Sequence, residues 1–164
     1  MRQDELIAAR AVAIRQASTP RDIELAHSLF VEYAQWLKVD LCFQGFEQEL
    51  ATLPGAYAPP LGRLLLAGMP DEAFACIALR PLESESGEVK RLYVQPAHRG
   101  ESWAKRLVQM LLDEARAIGY RELKLDTLAW MAPARALYTN LGFRECAPYY
   151  RNPLPGVVYM SLSL

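Results

Sequence analysis

Cysteine and histidine are scarce in this chain of 164 residues, which has three of the first and two of the second. Cys42, Cys76 and Cys146 lie far apart, and no C-x-x-C pair occurs among them. That spacing excludes a zinc-finger ligand set and the disulfide framework of a small secreted domain. Reduced, mostly buried thiols and no metal site are expected. Neither histidine can be paired with a cysteine from the sequence, so a thiol nucleophile is not expected. Long apolar runs are missing as well. No stretch approaches the roughly 20 apolar residues that a membrane span needs. Met1-Arg2-Gln3-Asp4-Glu5 carries acids and precedes no sustained apolar run, unlike a secretory leader. The expectation is a cytoplasmic protein without membrane contact.

An excess of charge of one sign is also absent. Eighteen Lys and Arg stand against nineteen Asp and Glu, a net charge of −1. With no basic face repeating along the chain, a nucleic-acid partner is not expected. The phosphate-binding pattern G-x-x-x-x-G-K-[ST] does not occur, which disfavours a nucleotide-binding protein. Internal repeats, linkers and low-complexity segments are lacking too. With 52% apolar and 23% charged residues, residues 1–164 read as one globular domain able to bury most of its apolar surface.

The informative stretch runs from Gly87 to Gly119. Val89, Leu92, Tyr93 and Val94 form a β-branched and aromatic run that reads as a buried strand. Pro96 ends it, having no N–H for a sheet ladder. Ala97-His98-Arg99-Gly100 leads into an amphipathic helix with Trp103, Leu107, Met110 or Leu111, Leu112 and Ala115 on one face. Gly119 is placed to cap its C-terminus. A strand, a Gly-containing turn and a helix N-terminus make an anion site, because the first helical N–H groups lack partners and carry partial positive charge. Lys90, Arg91, His98, Arg99, Lys105 and Arg106 surround that turn. They read either as a phosphate site or as solvated bases around a capped surface helix.

The remaining pattern is compatible with further elements. A short helical or frayed lead-in falls in 1–10 and a short strand in 11–17. Ser18-Thr19-Pro20 supplies an N-cap and an early proline for a helix carrying Ile23, Leu25, Ala26, Leu29, Phe30, Tyr33 and Leu37. Tyr33 and Trp36 either pack or line a cleft. A short helix is expected at 46–53, then strands at 63–67 and 72–79 joined by a Gly-Met-Pro-Asp turn. A strand at 122–128, a helix at 133–141 and closing strands at 143–147 and 157–162 complete the chain, with a rigid proline-rich loop at 148–156. This order gives a mixed α/β (α+β) fold in which one strand–helix–strand unit makes a right-handed parallel crossover.

Two motifs carry a resemblance. Val94-Gln95-Pro96-Ala97-His98-Arg99-Gly100-Glu101-Ser102-Trp103-Ala104-Lys105-Arg106-Leu107 is similar to the acyl-CoA signature of the GNAT superfamily of N-acyltransferases, whose core reads Q/R-x-x-G-x-G/A. Arg99 and Ala104 match the ends of that core, and Ser102 replaces the middle glycine. Ala134-Arg135-Ala136-Leu137-Tyr138-Thr139-Asn140-Leu141-Gly142-Phe143 resembles the family's second pattern, N-x-x-A-x-x-L-Y-x-x-x-G-F, with Met131 at the usual asparagine. The resemblance implies a mostly antiparallel sheet of about six to seven strands with helices on both faces. It further implies acetyl-CoA as co-substrate, a small-molecule or peptide amine as acceptor, and a possible homodimer, for which the apolar 157–160 strand is a candidate face.

The resemblance also distributes roles. Leu92, Tyr93, Val94, Arg99, Gly100, Glu101, Ser102, Trp103, Ala104 and Lys105 are expected to bind the cofactor. A backbone N–H near Val94 would stabilise the oxyanion, and Tyr138 would protonate the departing thiolate. Glu88 is the candidate general base, with Asp126 in reserve. The plain alternatives are a packed helix tyrosine and an ion-paired glutamate. Strict alternation puts Glu88, Lys90, Leu92 and Val94 on one face of their strand, unless a bulge intervenes. Asp40, Phe43, Phe46, Glu47, Glu49 and Tyr57 are candidate acceptor-facing residues, the acids among them suiting a cationic acceptor; the plain alternative is a solvated helix face with buried aromatics. The expected activity is N-acetyl transfer to a primary amine by direct attack in a ternary complex; the alternative is a non-catalytic acyl-CoA-binding sensor or partner subunit.

Overall fold

The computed structural model describes residues 11–164; the expected lead-in over 1–10 lies outside them. In order come β1 (Ala13–Gln16), α1 (Pro20–Leu37), α2 (Phe46–Ala51), β2 (Arg63–Gly68), β3 (Ala75–Glu83) and β4 (Ser86–Val94). Then follow α3 (Trp103–Ile118), β5 (Glu122–Leu128), α4 (Ala132–Asn140), β6 (Arg144–Glu145) and β7 (Val157–Ser163). The seven strands form one sheet in the order β1-β2-β3-β4-β5-β7-β6. Every neighbouring pair is antiparallel except β4 and β5, which α3 connects as a parallel crossover.

Local chemistry explains the main boundaries. Thr19 caps α1 by accepting the Asp22 N–H at 3.0 Å, and Asp22 accepts back from Ser18 and Thr19. Burial acts to raise the Asp22 pKa, but those N–H groups and Arg15 outweigh it and hold the carboxyl below its usual range. At α3 the open choice of helix face resolves: Leu111 is fully buried and Met110 is 36% exposed. A helix of 16 residues is marginal alone. Burial of Leu107, Leu111 and Leu112 against the sheet, at about 1.5–3 kcal/mol each, is what fixes it.

Helices cover both sheet faces. On one, α3 and α4 enclose Leu65, Ile77, Val89 and Val94. On the other, α1 sits over Leu64, Leu66, Cys76, Ala78 and Tyr93.

Two irregularities in β4 position the site. Its pairing with β5 ends at Glu88 opposite Lys124, after which the strands separate. Opposite β3, Lys90 pairs with Ala78 but Tyr93 with Cys76, so Arg91 and Leu92 share the single residue Ile77. Arg91 has φ +60°, which marks a β-bulge. The bulge inverts the face pattern and corrects the alternation expected for this strand. Val89, Leu92 and Val94 face α3 and α4, while Tyr93 faces α1 and Arg91 meets Phe46 and Glu49 of α2. Glu88 and Val94 do not share a side.

Three smaller expectations change. The strand expected at 143–147 shrinks to the two residues of β6. β7 lies inside the sheet between β5 and β6, with Tyr159 and Met160 buried by the chain itself. The apolar strand considered as a dimer face is thus used within the protomer. Of the thiols, only Cys76 is buried; Cys146 is half-buried and Cys42 exposed.

Candidate active site

A groove of about 580 Å³ opens where β4 and β5 part. Leu92, Tyr93, Val94, Arg99, Gly100, Ser102, Trp103, Ala104 and Lys105 line it, nine of the ten expected cofactor residues. Glu101 does not: its exposed carboxylate faces His98 Nδ1 at 3.4 Å. Trp36 of α1 and Trp130 after β5 meet over the groove, ring centres 5.5 Å apart. Trp36 packs against the α1 side of the core and also lines the groove, so its two readings hold together.

The turn into α3 leaves the first helical N–H groups without side-chain partners. Gly100 (φ +83°) and Ser102 (φ +65°) both take left-handed backbone as the chain turns into α3. No side chain caps that helix, and its first turn contains no acid. Its first N–H groups are therefore available to an anion, with Lys105 beside them. The usual glycine in place of Ser102 has its reason here, since a side chain is disfavoured in this conformation. Ser102→Gly is expected to stabilise the fold by about 0.5–1 kcal/mol without weakening anion binding. Thermal unfolding and an acetyl-CoA titration of the variant check both parts.

Strand geometry supplies another donor. Gln95 gives its N–H to Phe74 O at 2.8 Å. Successive amides alternate in direction, so the Val94 N–H points away from β3, into the gap left by β5. The Val94 carbonyl accepts Arg99 Nε at 3.0 Å, and the Arg99 guanidinium lies over Trp36.

A smaller cavity of about 60 Å³ adjoins the groove and shares Leu92, Met131 and Ala134 with it. Its polar lining includes Tyr33, Gln44, Lys90, Asp126, Tyr138 and Asn152. The Tyr138 ring packs on Phe143, centres 5.4 Å apart. Every enclosed side-chain polar atom among the described residues has a partner, whereas none is found for the Tyr138 hydroxyl, so that hydroxyl reaches the cavity space. Burial pushes its pKa up, reinforced by Tyr33 and Asp126. Asp126 is gripped on one oxygen, Oδ2, by the Tyr150 hydroxyl and by Asn152 Nδ2 at 2.7 Å.

Glu88 lines neither space. It is 1% exposed, its Oε1 accepting Arg80 Nε at 2.7 Å and its Oε2 accepting the Tyr149 hydroxyl at 2.6 Å. Nor do the six expected acceptor-facing residues line either space. Asp40 accepts the Cys42 N–H, Glu49 holds Arg91 and the Tyr57 hydroxyl, and Phe46 lies against the Arg91 guanidinium. Phe43 and Glu47 are exposed. Sequence reasoning missed Gln44 and Asn152 as cavity residues. The available signal for Asn152 was a polar and aromatic cluster, Tyr149-Tyr150-Arg151-Asn152, held between prolines.

Known proteins agree with this architecture. Residues 26–143 match the model of the acetyltransferase (GNAT) family. An uncharacterized N-acetyltransferase of Schizosaccharomyces pombe is 38% identical over 157 residues, covering 93% of this chain and 95% of that protein. A GNAT-family acetyltransferase of Staphylococcus aureus shares the fold with a TM-score of 0.77 at 18% identity, over 93% of this chain and 99% of that one. A Salmonella typhimurium protein solved with its cofactor acetyl-CoA has a TM-score of 0.68 at 18% identity, over 93% and 94% of the two chains. No helix among the described residues is long and apolar enough to cross a membrane, and no cluster of metal-ligating side chains occurs among them. The chain belongs to the GNAT family and is an acetyltransferase.

Proposed function

We propose that this acetyltransferase moves the acetyl group of acetyl-CoA to a primary amine of a small molecule or peptide, by direct attack in a ternary complex. The observation that carries the reading is the junction between the groove and the polar cavity, with the Tyr138 hydroxyl unpartnered beside it. The uncapped N-terminus of α3, with Lys105 and the turn at Gly100 and Ser102, suits the pyrophosphate of the co-substrate. The Val94 N–H, freed by the separation of β4 from β5, suits the thioester oxygen as charge develops there.

The remaining steps concern protons. A free amine attacks the carbonyl carbon, the C–N bond forms and the C–S bond breaks. Asp126 takes the amine proton with the carboxylate oxygen that Tyr150 and Asn152 leave free. Tyr138 gives its proton to the thiolate as that charge appears. Glu88 stands behind the cavity wall, 4.0 Å from the Lys90 ammonium and bonded to the Tyr149 hydroxyl, so it positions neighbouring groups and does not itself touch the amine.

Initial rates of CoA thiol release, measured while acetyl-CoA and an amine are both varied, test this. Intersecting double-reciprocal lines and no acetylated protein are expected. Parallel lines with an isolable acetyl-protein would overturn direct attack.

A further inference from the structure

The charges around the small cavity do not close. Arg91 is matched by Glu49, which accepts its Nε at 2.8 Å and its Nη2 at 3.0 Å. Glu88 is matched by Arg80 at 2.7 Å. That leaves Lys90, whose side chain is 4% exposed. Its ammonium gives one hydrogen bond to Gln44 Oε1 at 3.2 Å. The nearest carboxylate oxygen, Glu88 Oε1, is 4.0 Å away and already taken by Arg80. A buried ammonium with donors to spare calls for an anion. Burial also lowers its pKa, with Glu88 and Asp126 opposing that and Arg91 adding to it. Asp126, on the lining of the same cavity, has the opposite imbalance: its Oδ2 is held by Asn152 and Tyr150 and its other oxygen is free.

One cation and one anion, each incompletely satisfied, face a space of about 60 Å³. A single water needs about 10–15 Å³ on that measure, so the space admits the head of a small zwitterion. Resting on the N-acetyl-transfer reading above, we infer that the acceptor is an amine that also carries a carboxylate, an α-amino acid or a close amino-carboxylate relative. Its carboxylate pairs with the Lys90 ammonium and its amine lies toward Asp126. Attack by that amine forms the amide and releases CoA as the thiol, with Asp126 receiving the amine proton and Tyr138 supplying the thiol's. A polyamine would instead bring a second cation against Lys90 and Arg91. This replaces the cationic acceptor expected from Asp40, Glu47 and Glu49, none of which faces the cavity.

The test uses the whole protein with the twenty proteinogenic amino acids, their C-terminal amides and putrescine. Thiol release from acetyl-CoA is measured, along with calorimetric binding in the presence of CoA. At least one amino acid should be used roughly a hundredfold better in kcat/KM than its amide, because the amide leaves Lys90 unpaired. Lys90→Met should lose most of that discrimination through KM while binding acetyl-CoA as before, and Lys90→Arg should recover part of it. Should Lys90→Met fail to fold, the amino acid and amide comparison on the unaltered protein decides alone. If amides or putrescine are used as well as the acids, the carboxylate inference falls and amine acetylation stands. If no amine is acetylated but amino acids bind and their amides do not, the carboxylate pairing with Lys90 stands and the transfer reading falls. Absence of both turnover and amino-acid binding overturns the inference.

Discussion

Tyr138→Phe should lower kcat by about 10²–10⁴-fold, the usual contribution of a positioned acid, and leave acetyl-CoA affinity and thermal stability unchanged. The variant removes one oxygen and nothing else. The ring stays packed on Phe143. Because the hydroxyl has no protein partner among the described residues, its loss strands no buried donor or acceptor, which is where the large costs of such changes arise. An effect on kcat without one on affinity therefore reports chemistry. Single-turnover rates and calorimetry on the same sample make the separation. Turnover that survives in the phenylalanine variant would mean that water protonates the thiolate.

Breaking the pair between Glu49 and Arg91 has the largest expected effect on stability. Arg91 lies in the β4 bulge with its side chain 2% exposed, and Glu49 grips it with both oxygens. Burial alone would lower the Arg91 pKa, but hydrogen bonds and charge from Glu49 hold it above the usual value. Removing one partner of a buried pair leaves the other charge uncompensated, at a cost of about 3–5 kcal/mol. Glu49→Gln should accordingly lower Tm by roughly 6–20 °C, at about 2–4 °C per kcal/mol for a chain of this size. The double variant Glu49→Gln/Arg91→Met should recover most of that loss. If Glu49 recognised the acceptor amine instead, the single variant would keep its Tm and raise only the acceptor KM.

These two residues show what can and cannot be read from the chain. The Tyr138 motif has fixed internal spacing on one helix, and the resemblance it carries gave the residue its expected role; the fold brings it to the small cavity that adjoins the groove. The helix start at α3 was equally local: a strand, a turn with Gly100 and a first turn without a capping side chain. Glu49 looked like an acceptor residue because its partner lies across the fold, on a different element from the short helix that carries it. The β4 bulge was invisible for a related reason. It consists of one residue with positive φ at Arg91, a type that gives no glycine signal, and it reverses the side of every residue after it. For Glu88 the resemblance offered a base and the plain reading an ion pair, and the partners that decide between them, Arg80 and Tyr149, come from the neighbouring strand and from a distant loop. The cavity's Gln44 and Asn152 arrive from two loops separated by most of the chain. Pattern reports local geometry well, and long-range charge pairing hardly at all.

The most direct check on the central claim is a calorimetric titration of the purified protein with acetyl-CoA, with ATP and NAD as controls. The separated β4 and β5 strands and the free α3 N-terminus predict selective, saturable micromolar binding of acetyl-CoA at one site per chain. No heat of binding at millimolar acetyl-CoA would contradict the account, leaving the groove as a feature of the fold without its function.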